Sequence, residues 1–310
     1  MGENRPAVAA WVCPGQGAQR PGFLAPWLES TGAVDYLAGL SEAAGLDLRY
    51  YGTEAAASEI RDTAVAQPLI VAAGALVWWM ATREGRRPRV AVTAGHSVGE
   101  LTATVVAGVL SAEQAVRLAA VRGRAMAVAS ALEPTGMSAV IGGDPADLAA
   151  FGGLTVANYN LDAVLGNLRP GQVVLAGRLA DLELLAARPP AGSRVIPLAV
   201  AGAFHTSFME PAVRTVRLAV DSLCPHLSSL KLLSNNHGQV IEDGAEFLDL
   251  MVGQITHPVN WAACMRTMAD LGVTDVVELP PAGVLAGLVR KGLPKTAIIA
   301  IKMPDDLQRF

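Results

Sequence analysis

The chain of 310 residues carries 24 Lys and Arg against 28 Asp and Glu, and it is 52% hydrophobic and 17% charged. That balance suits one or two domains around a large core, and the net charge of −4 argues against a nucleic-acid binder, with no basic run beyond Arg83-Glu84-Gly85-Arg86-Arg87. The three cysteines, Cys13, Cys224 and Cys264, show neither a disulfide framework nor zinc spacing, which predicts a reducing cytoplasm and no metal.

Met1 to Pro6 is polar and the apolar run behind it stops at Pro14, so no secretory leader is expected. Ala7 to Cys13 predicts a first strand, running into Pro14-Gly15-Gln16-Gly17-Ala18-Gln19. The N–H groups of such a loop can cradle an anion. It lacks the Lys-Ser/Thr ending of a phosphate loop and the third glycine of a dinucleotide fingerprint, so an ordinary strand-to-helix turn fits it as well. Leu24–Leu48 and Glu54–Glu84 read as mostly helical cover for a sheet. Within the second, Leu69–Ala81 is apolar but shorter than the roughly 18 residues of a membrane span. Gln67-Pro68 opens it as a buried helix would open, so no membrane partner is expected.

Arg89 to Ala94 is short, β-branched and apolar, and predicts a buried parallel strand. Gly95-His96-Ser97-Val98-Gly99-Glu100 follows, and then the apolar, Ala-rich helix Leu101–Leu110. Gly-x-Ser-x-Gly between a strand and a helix is the pattern of a nucleophile elbow, in which a strained turn exposes the serine hydroxyl at a helix N-terminus. Ser111 caps the next helix, Ala112 to about Ala131. At about 100° per residue, Leu118, Val121, Ala125 and Met126 share a face, and Arg117 and Arg124 point elsewhere. Arg122 falls inside the apolar face, where it must snorkel to water or meet an anion.

From Gly136 the texture changes. Strands at Met137–Ile141, Leu154–Asn158, Gln172–Ala176 and Arg194–Val200 alternate with helices at Pro145–Phe151 and Leu179–Ala187. The order βαββαβ predicts a ferredoxin-like subdomain, residues 132–200, inserted into a hydrolase-like α/β main domain made of residues 1–131 and 201–310. The chain re-enters the main domain through Gly202-Ala203-Phe204-His205, ahead of a helix at Phe208–Leu223. His205 is placed for a general base or for plain packing. His226, His237 and His257 compete with it, while His96 would point away from its neighbour Ser97. Further strands are expected at Leu230–Ser234, Thr274–Leu279 and Ile298–Ile301.

Pro14-Gly15-Gln16-Gly17-Ala18-Gln19, Gly95-His96-Ser97-Val98-Gly99-Glu100, Arg122-Gly123 and Gly202-Ala203-Phe204-His205, in that order, closely resemble the malonyl-CoA:acyl carrier protein transacylases of type II fatty acid synthesis and the acyltransferase domains of polyketide synthases. Gln67-Pro68, Ala157-Asn158-Tyr159-Asn160, Pro170-Gly171-Gln172, Ser234-Asn235 and Pro258-Val259-Asn260-Trp261 extend the likeness over the whole chain. The resemblance implies Ser97 as the nucleophile carrying a malonyl ester and His205 as the base. It places the oxyanion hole at the backbone N–H groups of Gln16 and Val98, and a backbone carbonyl near Asn260 behind the histidine. Arg122 would hold the malonyl carboxylate, Phe204 would crowd an α-methyl branch, and Gln67 and Met126 would line the substrate pocket. The implied partners are malonyl-CoA, entering as a coenzyme A substrate with no bound cofactor, and an acidic, phosphopantetheinylated acyl carrier protein. A cytoplasmic monomer is expected. Arg194, Arg290 and Lys291 are the basic residues implied near the cleft mouth, with Arg86 and Arg87 at the far end of the sheet. A serine esterase or thioesterase would share the elbow without needing Arg122, and an idle docking module would need neither Ser97 nor His205. Leu161–Arg169 is longer than in many relatives, and Pro280-Pro281-Ala282-Gly283 replaces a commoner Gly-Pro-Gly.

Overall fold

A computed structural model describes residues 8–83, 88–144, 147–148, 151–161 and 171–309. Arg86, Arg87, most of the helix expected at 145–151 and the 162–169 part of the long loop lie outside them. In chain order, β1 (Ala9–Cys13) and β2 (Val92–Gly95) come first. They are followed by β3 (Thr135–Gly142), β4 (Leu154–Leu161), β5 (Gln172–Arg178) and β6 (Ser193–Pro197). The last are β7 (Lys231–Leu233), β8 (Val240–Ile241), β9 (Asp275–Glu278) and β10 (Ala297–Ala300). The first and last groups make one sheet, ordered β10-β9-β1-β2-β7-β8, and the middle group makes a separate sheet, ordered β4-β5-β3-β6. The larger sheet is parallel except for the β7–β8 pair. Every pairing in the smaller one is antiparallel.

β1 is buried on both faces, as a central parallel strand must be. Its period-2 alternation sends Trp11 and Cys13 into one core cluster and Ala10 and Val12 into the other. Cys13 pairs with Gly95, so β1 and β2 end in step. The Gly-rich loop and the serine loop therefore leave the sheet side by side at its carboxyl edge, where open α/β sheets bind ligands.

The layer over the Trp11 face contains α1 (Ala33–Ala44), α2 (Leu48–Thr53), α3 (Thr63–Thr82), α4 (Gly99–Val106) and α5 (Ala112–Ser130). α3 starts earlier than Gln67-Pro68 suggests, because the Asp62 carboxylate accepts from Ala64 N at 2.8 Å and caps it there. With 20 residues it is long and apolar enough to cross a membrane by length and composition, which corrects the shorter run read from sequence. Its apolar window is 83% buried within the protein, so the hydrophobicity serves the core. α5 begins at Ser111 with a capping box, its hydroxyl accepting from Gln114 N while the Gln114 side chain accepts from Ser111 N. A β-carbon on Gly123 would lie 2.6 Å from the Thr63 carbonyl, so glycine there lets α5 press onto α3. Beyond α6 (Leu179–Ala187) and α7 (Glu210–Asp221), the helices α8 (Gly244–Gly253), α9 (Trp261–Asp270) and α10 (Val284–Gly292) form where no element was anticipated.

Gly95 and Gly99 set how close α4 comes to the two central strands. A β-carbon on Gly95 would run into the backbone of Gly99 and Glu100, and one on Gly99 would meet the Cys13 carbonyl. Gly95→Ala and Gly99→Ala should each lose about 1–3 kcal/mol or more in urea unfolding. Gly39→Ala, on the exposed face of α1 with nothing within 4 Å of the new carbon, should gain about 0.5–1 kcal/mol.

Candidate active site

Strand β2 stops at Gly95 and α4 starts at Gly99, leaving Ser97 at the apex of the turn with φ 54°. Among the described residues only Ser97 and His205, at φ 61°, are non-glycines with positive φ. Such strain persists only where the surroundings over-determine it. Here the Asn235 side chain does so at Ser97, its Oδ1 accepting from Ser97 N at 2.8 Å while its Nδ2 donates to the Gly95 carbonyl at 2.7 Å.

His205 bridges two partners. Its Nε2 lies 2.8 Å from Ser97 Oγ and its Nδ1 lies 2.8 Å from the Gln254 backbone carbonyl. A carbonyl can only accept, so Nδ1 carries the proton and Nε2 is free to take one from the serine. Burial, helped by the nearby Arg122 cation, pulls the imidazole pKa down to about 3, so the ring is neutral at working pH.

Arg122 is 1% exposed, which rules out snorkelling. Its Nη1 donates to Gln67 Oε1 at 2.8 Å, and its Nη2 donates to Gln254 Oε1 at 3.2 Å and Ser97 Oγ at 3.3 Å. All three partners are neutral, and Nε has no hydrogen-bond partner. Burial lowers its pKa to about 10 against the pull of Glu100, so the group stays cationic. A buried cation with no carboxylate in contact is costly, and it sits ready for an anion.

These groups line a cavity of about 90 Å³ between the carboxyl edge of the large sheet and the small sheet, whose Met137 and Asn158 reach into it. Gln16 and Val98 are on its wall, and neither backbone N–H finds an acceptor among the described residues. Phe204 and Met126 are buried against the same space, and the Gln67 amide contacts Met126 Sδ at 3.5 Å. Among the described residues no cluster of His, Cys, Asp and Glu could hold a metal ion.

One assignment is corrected. The Asn260 carbonyl does not stand behind the histidine, because it accepts from Cys264 N at 3.3 Å in the first turn of α9, which the Asn260 side chain caps. Gln254, just past the end of α8, supplies the carbonyl instead; the last carbonyls of a helix lack helical donors and are free for such use. His226, His237 and His257 are exposed and take no part. His96 does turn from the serine, yet it still lines the cavity, with Nε2 3.0 Å from Asn160 Oδ1 and its pKa lowered by burial. Asn235 and Glu100 were quoted from sequence only within motifs and given no role, and Gln254 was not singled out at all.

The acyl transferase domain family matches residues 10–309. The malonyl CoA-acyl carrier protein transacylase of Mycobacterium tuberculosis is 46% identical over 98% of this chain and 99% of its own length. Its Escherichia coli counterpart is 31% identical over 96% of each chain. The crystal structure of the Mycobacterium tuberculosis enzyme superposes with a TM-score of 0.91 at 45% identity, covering 97% of this chain and 99% of that one. A malonyl-transacylase solved in complex with a type II polyketide acyl-carrier protein gives 0.87 at 26% identity, over 97% and 98% of the two chains. With this fold and this extent of identity, the chain belongs to the malonyl-CoA:acyl carrier protein transacylases, a family of acyltransferases.

Proposed function

We propose that this acyltransferase moves malonyl from malonyl-CoA to the phosphopantetheine thiol of an acyl carrier protein through an ester on Ser97. The observation that carries this reading is Arg122, a buried guanidinium that touches the Ser97 hydroxyl and no carboxylate. A planar fork beside the nucleophile suits an acyl group that ends in a carboxylate. An esterase or thioesterase has no use for a buried cation there.

In the first half-reaction Ser97 Oγ attacks the thioester carbonyl as its proton passes to His205 Nε2, and the Gln254 carbonyl steadies the imidazolium through Nδ1–H. The free N–H groups of Gln16 and Val98 would meet the oxyanion, typically worth about 10²–10³ in rate per donor. His205 then gives its proton to the departing coenzyme A sulfur. In the second half the carrier thiol loses its proton to His205 and attacks the ester, and the serine is restored. Coenzyme A enters as substrate, and no further cofactor is required. Phe204 narrows the space beside the α-carbon and disfavours a methyl branch, while Gln67 and Met126 fix one side of Arg122.

We further read the small sheet, with its order β4-β5-β3-β6, as a ferredoxin-like subdomain of residues 132–200 inserted into a hydrolase-like domain. Exposed Arg194, Arg290 and Lys291 supply positive charge for an acidic carrier. We also expect a monomer working in the reducing cytoplasm, where Cys13, Cys224 and Cys264 stay free thiols.

Ser97→Ala should give no malonyl adduct by intact-mass spectrometry and keep its fold; an adduct on that variant reassigns the nucleophile. Arg122→Ala should cut kcat/KM for malonyl-CoA by about 10²-fold or more, since breaking a buried pair costs roughly 3–5 kcal/mol and each 1.4 kcal/mol is about tenfold. Acetyl-CoA, with no carboxylate, should be spared, and an unchanged malonyl-to-acetyl ratio would make Arg122 a packing residue. His205 titrates at about 6.5 when unfolded and about 3 when folded, so the folded chain binds fewer protons and stability drains as pH falls across that window. The melting temperature of His205→Asn relative to wild type should therefore rise between about pH 7.5 and pH 5.

A further inference from the structure

Glu100 is 1% exposed in the first turn of α4, and nothing in the mechanism above uses it. Its Oε1 accepts from Asn235 N at 2.7 Å, and its Oε2 accepts from Gln254 Nε2 at 2.6 Å. The same Gln254 amide turns its Oε1 to Arg122 Nη2 at 3.2 Å. A single carboxamide thus stands between a buried carboxylate and the buried guanidinium beside Ser97. When ionised, this carboxylate is the balancing charge for Arg122, acting across Gln254.

An acyl group carrying its own carboxylate disturbs that balance. Once it pairs with Arg122, two negative charges share one positive charge beside two buried side chains, and a like charge nearby favours the neutral form of a carboxyl. We propose that Glu100 is a positioning and specificity-tuning counter-charge, its ionised fraction balancing Arg122 while the guanidinium is alone and taking up a proton from solvent when a malonyl carboxylate occupies Arg122. The inference rests on the malonyl-transfer reading. A protonated Glu100 has an O–H to give, and Gln254 accepts it by turning its amide over, giving up its bonds to Arg122 Nη2 and Asn235 Oδ1, so that Nη2 and the turned Nε2 both face the incoming carboxylate.

Of the titratable groups that interact with Glu100, Arg122 on α5 is drawn down to about 10 and Cys264 on α9 is pushed up to about 12. The two histidines on the Arg122 cavity are both lowered by burial, His205 to about 3 and His96 below the ordinary histidine range. Asn235 and Gln254 do not titrate. Burial raises Glu100 itself to about 8, against the pull of its two donors and Arg122. Arriving malonate-type charge pushes it further up. By linkage, malonyl binding then weakens relative to acetyl binding as pH rises past that value.

The test is a proton count on serine acylation. Ser–OH plus thioester gives ester plus thiol with no net proton, and any ionisation of the released coenzyme A thiol is common to both acyl groups. Enzyme at stoichiometric concentration is mixed with malonyl-CoA or acetyl-CoA in weakly buffered indicator dye between pH 6.5 and 9, and acyl-serine is quantified by mass spectrometry. Malonylation should take up a substantial fraction of a proton more than acetylation around pH 8, and Glu100→Gln should abolish the difference. Equal counts in wild type, or a difference that survives in Glu100→Gln and so belongs to His96, overturn the inference. Should Glu100→Gln fail to fold, the wild-type ratio of malonyl to acetyl kcat/KM decides: it should fall up to tenfold per pH unit above pH 8, and a flat ratio overturns the inference. Absence of a malonyl-serine mass in wild type overturns the transfer reading and this inference with it, whereas a malonyl-serine with no extra proton sinks only the inference.

Discussion

A guanidinium sealed inside a protein must be surrounded by oxygen atoms, and at Arg122 that requirement ties together four separate parts of the chain. Gln67 comes from α3, Ser97 from the turn after β2, and Gln254 from the end of α8. α5 can carry the arginine to them because Gly123 lets it lie against the Thr63 carbonyl. The helix pairing, the glycine and the capped start of α3 at Asp62 are all conditions for the same cation. Neutral acceptors hold its shape while leaving its charge largely available, so the arginine is preorganised for a carboxylate without being neutralised by contact.

The reactive pair obeys a related logic of enforced geometry. Ser97 and His205 both occupy left-handed backbone that their side chains disfavour. Each is held by a residue with a second duty. Asn235 fixes the serine N–H and also ties to Gly95, and Gln254 supports the imidazole by its backbone and the guanidinium by its side chain. Serine, histidine and arginine therefore share supports, and their relative positions cannot drift independently.

Much of this was legible in the amino-acid order because it is local. A β-branched run before Gly95 and small residues on either side of Ser97 announce a strand, a turn and a helix within a dozen positions. The misplaced face of Arg122 followed from counting along one helix. The βαββαβ order read from residues 136–200 places its strands where β3 to β6 lie. What escaped is non-local or lies in the backbone. Gln254 acts on His205 through a carbonyl that every residue possesses, so no side-chain pattern marks it, and Asn260 drew the assignment by family likeness alone. Asp243 and Asn260 cap the starts of α8 and α9 through their side chains, a local signal that went unread because both helices are only ten residues long. Glu100 stood only as the last residue of the serine motif; its tertiary contact with Gln254 is what gives it a place beside the site.

The central position of β1 also governs when the enzyme can come into being on the ribosome. Its two neighbours are β2 and β9, and Ala9 pairs with Asp275, nearly the full chain away. The small sheet, by contrast, draws all its strands from Thr135 to Pro197 and can close as soon as that stretch has emerged. The long-range closure about β1 is the slow, late event. A nascent chain that stops short of Gln254 already holds the nucleophile and Arg122 but has no carbonyl to orient the imidazole. The support for the base is thus among the later parts of the site to be made.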